Sequence, residues 1–187
     1  MILRRLGNKQ AIAMKIQNYF PTHNLYIEPF FGAGGMFFNK PKANYNIVND
    51  LDSEVFNLFQ VITKRKDELK DCFYKMPIHY DLLEYWKKNK EIDPIQKALR
   101  FLFMSNCTLL GTGSQLRYTT RDDKDNIYKG FDKTFDIIYD VTFSNLDFRK
   151  FIPSISYRHG KADIDKAFFY CDPPYLGTND NYSNSFT

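Results

Sequence analysis

Two short apolar runs end in turns that leave this chain few folds to choose from. Ala167-Phe168-Phe169-Tyr170-Cys171 is continuous and apolar, as a parallel strand covered on both faces should be, and it halts at Asp172-Pro173-Pro174-Tyr175. Two consecutive prolines remove two backbone donors and fix two φ angles, so neither a helix nor a ladder passes through them. Leu25-Tyr26-Ile27 is the earlier counterpart. It runs into Glu28-Pro29-Phe30-Phe31-Gly32-Ala33-Gly34-Gly35 and then Met36-Phe37-Phe38, the order of a strand, a glycine turn and a helix start. Tyr45-Asn46-Ile47-Val48 reads as another strand, ending at Asn49-Asp50, and Val55, Phe56, Leu58, Phe59 and Ile62 form the apolar face of the helix after it. A further strand is expected within Ile137 to Phe143, ending near Asn145-Leu146-Asp147-Phe148. Strand alternating with helix is the pattern of an α/β protein with a mostly parallel, doubly wound sheet.

Between these strands the pattern changes. Ile12, Ile16 and Tyr19 give Lys9 to Phe20 the spacing of an amphipathic helix, which Pro21 ends. The charge-dense Lys64-Arg65-Lys66-Asp67-Glu68 marks an internal boundary and divides the chain into 1–63, an inserted lobe at 64–134, and 135–187. Within the lobe, Asp93-Pro94 is a cap followed by a proline suited to the first helical position, and Ile95, Ala98, Leu99, Leu102 and Phe103 continue as a buried stripe. Gly111 to Gly130 reads as a long polar loop. Its Arg117, Tyr118, Arg121, Lys124, Tyr128 and Lys129 interleave residue types that bind phosphate and stack on bases, while Asp122, Asp123 and Asp125 cancel much of the charge and suit a plain solvated loop equally well.

Composition narrows the class without naming a function. At 187 residues, with 43% hydrophobic side chains, 9 Gly and 8 Pro, the chain is globular rather than disordered or collagen-like. Its apolar runs fall short of the roughly 20 residues that a membrane span requires, and its first residues lack a signal-peptide pattern, so a cytoplasmic protein is expected. Cys72, Cys107 and Cys171 are widely spaced and odd in number, which predicts reduced, mostly buried thiols. His23, His79 and His159 have no ligand spacing, so no metal is expected. A net charge of +4 permits a polyanionic partner without requiring one. The 17% aromatic content suits base stacking, although a bias across the whole chain is the plainer explanation.

Three sites carry chemistry. A glycine turn between a parallel strand and a helix lies at the carboxyl edge of the sheet, where open α/β folds bind ligands. The dinucleotide fingerprint is absent, because Phe37 stands where its third glycine would fall. Asp50, at the end of its strand, suits the hydroxyls of a ribose; a helix cap is the structural alternative. Asp172 and the Pro173 carbonyl form a pair of acceptors beside the Tyr175 ring. An exocyclic amine on a planar base is a poor nucleophile because its lone pair is delocalised, and two acceptors on its N–H bonds favour a tetrahedral nitrogen with that pair available.

Phe30-Phe31-Gly32-Ala33-Gly34 followed by Asp172-Pro173-Pro174-Tyr175, with a lobe between, resembles the adenine-N6 DNA methyltransferases of the Dam type. Gly7-Asn8-Lys9 looks like that family's Gly-Gly-Lys, and Asn49-Asp50 and Asp147-Phe148 also match. The resemblance implies a Rossmann-like methyltransferase domain with a helical target-recognition lobe. It implies transfer of methyl from S-adenosylmethionine to N6 of a flipped adenine in double-stranded DNA, in a restriction-modification or phage setting, with no metal. The implied catalytic residues are Asp172, Pro173, Pro174 and Tyr175. Arg5, Lys9, Phe30, Gly32, Gly34, Asp50, Asp147, Phe148 and Asp172 would line the cofactor site, with Asp50 on the ribose and Asp147 near the cofactor adenine. Arg117, Tyr118, Arg121 and Lys124 would meet nucleic acid. Family members continue past the Asp-Pro-Pro-Tyr turn, so the chain is expected to be truncated there, with the carboxyl-terminal strands missing. The alternatives are methylation of another exocyclic amine, such as cytosine N4 or an RNA adenine, and an inactive fragment that only binds cofactor or DNA.

Overall fold

A computed structural model describes residues 2–4, 7–117, 119–158 and 160–174. Four strands form one sheet: β1 (Leu25–Glu28), β2 (Tyr45–Asn49), β3 (Thr142–Ser144) and β4 (Ala167–Phe169). All pairings are parallel and the spatial order is β3-β2-β1-β4, so the sheet grows in one direction from β1 to β3 and in the other from β1 to β4. This is the α/β architecture expected from the alternation of strand and helix. β4 lies at an edge of the described sheet and is only half-buried.

The helices are α1 (Ala13–Gln17), α2 (Ser53–Lys75), α3 (Tyr80–Lys88), α4 (Pro94–Cys107), α5 (Arg121–Ile138), α6 (Phe148–Ser154) and α7 (Lys161–Ile164). The chain forms two compact units. One joins the amino-terminal residues up to Gly7 with Asn57–Tyr139, and the other joins Asn8–Phe56 with the residues from Asp140 onward. The second unit holds the whole sheet. Side chains alternate across β1, so Leu25 and Ile27 pack on one face with Phe151 of α6, Ile47, Ile155 and Phe169. Tyr26 takes the opposite face among the rings of Phe20, His23, Phe37 and Phe168. In the first unit, Phe73 of α2 meets Phe131 of α5 at 5.5 Å between ring centroids, and Trp86 of α3 meets Phe103 of α4 at 5.1 Å.

Four expectations need correction. The helix expected over Lys9 to Phe20 is a 3₁₀ turn at Lys9–Ile12 followed by the five residues of α1. Its apolar stripe finds no core: Ile12 and Tyr19 are exposed and Ala13 is the buried residue. The loop expected at Gly111 to Gly130 becomes helical at Arg121, because Thr120 and Asp123 form a reciprocal capping box and Ile127, Phe131, Thr134 and Ile138 recur at helical spacing on a buried face. The strand expected within Ile137 to Phe143 is shortened to β3 because α5 continues through Ile138. Cys107 is buried, but Cys72 is half-buried and Cys171 is exposed. Within the charge-dense run Arg65 departs from helical geometry (φ −140, ψ 37), so α2 is two helical stretches joined across a kink.

Candidate active site

The glycine turn follows directly from β1. Gly34 has φ +73, and a β-carbon there would lie 2.5 Å from the Phe38 ring, so the position requires glycine on both counts. The turn is tied to the end of β2 by the Phe31 amide donating to the Asn49 carbonyl (2.9 Å) and the Gly32 amide donating to Asp50 Oδ2 (2.5 Å). Asp50 Oδ1 accepts from the Asp52 amide at 2.8 Å, while Asp52 accepts from the Glu54 amide at the start of α2. Asp50 therefore braces the glycine turn, and Asp52 supplies the helix cap. Asn49, almost fully buried, joins three strand ends: its Nδ2 donates to Pro29 O (3.1 Å) and Leu146 O (2.8 Å), and its Oδ1 accepts from the Leu146 amide (2.9 Å).

Asp172 arrives from β4. The Tyr170 amide donates to the Ile27 carbonyl at 2.9 Å and carries the ladder past the end of β4, so the chain leaves the sheet beside the glycine turn. The Asp172 carboxylate forms an ion pair with Lys9 Nζ at 2.9 Å, and both side chains are about one-fifth exposed (19% and 20%). Lys9 is held by a strap that crosses Gly35. A β-carbon on Gly35 would lie 1.7 Å from Asn8 Oδ1 and 3.0 Å from the Lys9 amide. Asn8 in turn caps the 3₁₀ turn by accepting from the Gln10 amide at 3.1 Å.

The third wall is aromatic and acidic. Phe30 and Phe148 meet at 5.4 Å between ring centroids. Asp147, at the amino terminus of α6, accepts from the Arg149 amide (2.8 Å) and from the Arg149 guanidinium (2.9 and 2.8 Å), and these hydrogen bonds hold its carboxyl down at about 2. Lys9, Phe30, Gly32, Gly34, Asp50, Asp147, Phe148, Asp172, Pro173 and Pro174 all belong to the sheet unit. Arg5, Tyr118 and Tyr175 lie outside the described residues.

Sequence reasoning missed a buried polar cluster behind the turn. Tyr26 donates its hydroxyl to Glu28 Oε2 at 2.8 Å, and Lys40 Nζ stands 3.9 Å from the Tyr26 ring centroid. Burial lifts the Glu28 carboxyl to about 8 and lowers the Lys40 amine to about 8, while the buried Tyr26 phenol is raised. The available signal was an acid as the last residue of an otherwise apolar β1, with a lysine in the connection to β2. The basic residues of the lobe are more occupied than their sequence suggested. Arg117 Nε donates to Asn106 O (3.2 Å), and its buried Nη2 lies 3.5 Å from Asp123 without hydrogen-bond geometry. Lys124 Nζ donates to Met76 O at 2.8 Å, while Arg121 is exposed.

A glycine turn and an Asp-Pro-Pro turn on adjoining parallel strands agree with a family match that covers residues 6–187, to the D12 class N6 adenine-specific DNA methyltransferases. The chain belongs to this family. It is 27% identical over 201 residues to the DNA adenine methylase of Escherichia coli (strain K12), a match that covers 99% of this chain and 70% of that protein. The DNA adenine methylase of Haemophilus influenzae is 28% identical over 192 residues, covering 92% of this chain and 63% of the relative. That of Serratia marcescens is 27% identical over 203 residues, covering 99% and 72%. Methylation of adenine N6 in DNA is the activity of this D12-class chain, and S-adenosylmethionine is the methyl donor that such a family implies. Among the described residues no group of His, Cys, Asp and Glu is arranged to hold a metal ion, and no helix is long and apolar enough to cross a membrane.

Proposed function

We propose that this D12-class enzyme binds S-adenosylmethionine between the glycine turn and Asp172 and receives a flipped adenine against the Asp172-Pro173-Pro174-Tyr175 turn. The observation that carries the reading is the meeting of the two turns at the point where the strand order reverses, the place at which open α/β sheets bind ligands. The residues there suit the donor. Lys9 and Asp172 are an oppositely charged pair that matches the carboxylate and ammonium of an amino acid moiety. Asp50 stands at the end of β2 for the ribose, and the Phe30 and Phe148 rings, with Asp147 beside them, suit a flat purine. Arg5 and the backbone at Gly32 and Gly34 complete this cofactor set.

The bound donor supplies an electrophilic methyl group on a sulfonium. Everything else falls to the chain. Asp172 and the Pro173 carbonyl accept the two N–H bonds of the adenine amine, which orients its lone pair, and Pro174 keeps the turn rigid. Tyr175 stacks on the base. Holding amine and methyl in line is the main catalytic contribution. The proton displaced from N6 leaves through Asp172. Segment 64–134 serves as the target-recognition lobe, with Arg117, Tyr118, Arg121 and Lys124 on the duplex from which the adenine is flipped, and the enzyme works in the cytoplasm.

Transfer of labelled methyl from S-adenosylmethionine to DNA by Asp172→Ala tests the reading. A loss of at least about 100-fold with unchanged circular dichroism is expected, the size of effect that removing one preorganised group produces. Methylation undiminished in this variant would overturn it.

A further inference from the structure

Glu28 is a buried acid that the reaction described above does not use. It closes β1 one residue before the glycine turn and is 2% exposed. Its hydrogen bond comes from Tyr26, which is itself buried. Lys40, a cation whose charge acts on Glu28, sends its hydrogen bonds to Pro41 O (3.0 Å) and Asn46 Oδ1 (3.3 Å). The alternation of side chains places Tyr26 and Glu28 on the same sheet face as Phe168, and the ladder continues from Phe168 toward Tyr170 and Asp172.

β1 pairs Glu28 with Val48, two residues before Asp50, and the Tyr170 amide bonds to the Ile27 carbonyl two residues before Asp172, so both acids leave the sheet from strands that flank Glu28. Asp172 is matched by Lys9. Burial is the main force that keeps a proton on Glu28, and the negative charges of Asp172 and Asp50 add to it, while the Tyr26 hydroxyl and Lys40 oppose it. Lys42 acts on Lys40 in the direction that weakens its charge, and the thiol of Cys171, a residue exposed overall, is raised by partial desolvation of its sulfur and by Glu28. A carboxyl balanced in this way responds to a single added positive charge.

We infer that Glu28 reads the charge of the methyl donor: it holds a proton while no sulfonium is present and releases it when the cationic donor binds, whereas the neutral thioether product releases no such proton. The inference rests on the proposed donor site between the glycine turn and Asp172. Glu28 is then a specificity residue that favours donor over product. The preference increases as pH rises through about 8, where Glu28 ionises, because only the charged carboxylate attracts the sulfonium.

Titration calorimetry of the whole chain tests this at pH 7.5, in phosphate and in Tris, with S-adenosylmethionine and with S-adenosylhomocysteine. The two buffers differ in ionisation heat, so the comparison counts protons released. The wild-type protein is expected to release more protons with the donor than with the product. Glu28→Gln is expected to remove that difference and to reduce the donor-to-product affinity ratio about tenfold, the scale of one partly screened charge interaction. Equal proton release by both ligands in the wild type, or a difference that survives in Glu28→Gln, overturns the role of Glu28 and leaves the donor site standing. Failure of either ligand to bind the wild type overturns both. Tyr26→Phe serves where Glu28→Gln does not fold. Without its hydroxyl donor Glu28 should ionise at higher pH, so the midpoint of the donor preference is expected to move upward, and an unmoved midpoint overturns the inference.

Discussion

Gly35 and Glu28 show how much of this site is decided one residue at a time. Gly35 lets the strap that carries Lys9 pass so closely that no β-carbon fits. Gly35→Ala must push that strap away and with it the cation paired with Asp172. It is expected to lower the unfolding free energy by about 1–3 kcal/mol, a range typical of overpacking, and to weaken donor binding, as checked by urea unfolding and calorimetry. Stability should also depend on pH through the buried pair. Glu28 ionises near 8 when folded instead of near its ordinary 4.5, so the native state holds the extra proton across that window and stability falls as pH rises through it. Lys40 is lowered from 10.5 to about 8, so above 8 the unfolded state holds the extra proton and stability rises again. Urea unfolding from pH 5 to 10 should therefore contain a contribution with its minimum near pH 8, and Glu28→Gln should remove its acidic limb. A limb unchanged in that variant would assign it to other groups.

At the scale of elements, α5 and the amino-terminal strap are the instructive cases. The helical stripe of Ile127, Phe131, Thr134 and Ile138 was present in the sequence, yet Gly130 and three nearby aspartates read as loop residues. Those polar residues are not all solvated coil: Asp123 is half of a capping box, and its carboxyl is held low chiefly by the Thr120 hydrogen bond, with Arg117 and Arg4 adding to the effect. Thr120→Ala is expected to cost about 1 kcal/mol of stability, the usual worth of an amino-terminal cap, read from the urea midpoint at constant slope. The opposite holds at Lys9 to Phe20, where apolar residues at helical spacing find no core and only a short helix forms. Periodicity reports a face, and a tertiary partner decides whether that face is buried.

For the whole molecule, a ligand that binds only the folded state stabilises it by mass action. S-adenosylmethionine at 100 times its dissociation constant should add about 2.7 kcal/mol to the unfolding free energy, visible as a higher thermal midpoint. Asp50→Ala, which removes both the proposed ribose partner and the acceptor for the Gly32 amide, should lose that increment. An increment retained in full would exclude Asp50 from the donor site.

The sequence by itself determined the two turns and most residues proposed to line the site. Glycine and proline act through local steric limits on φ and through missing donors, and those limits hold in any fold. It also determined the class, because alternating apolar runs and helical stripes are local patterns. Only the tertiary structure decided that β4 pairs with β1 while β2 and β3 extend the other way, which brings Asp172 to Lys9 and to the glycine turn across more than 130 intervening residues. The charge state of Glu28 was decided at the same level. Burial keeps the proton on this carboxyl, the charges of Asp172 and Asp50 add to it, and no window of sequence contains that environment.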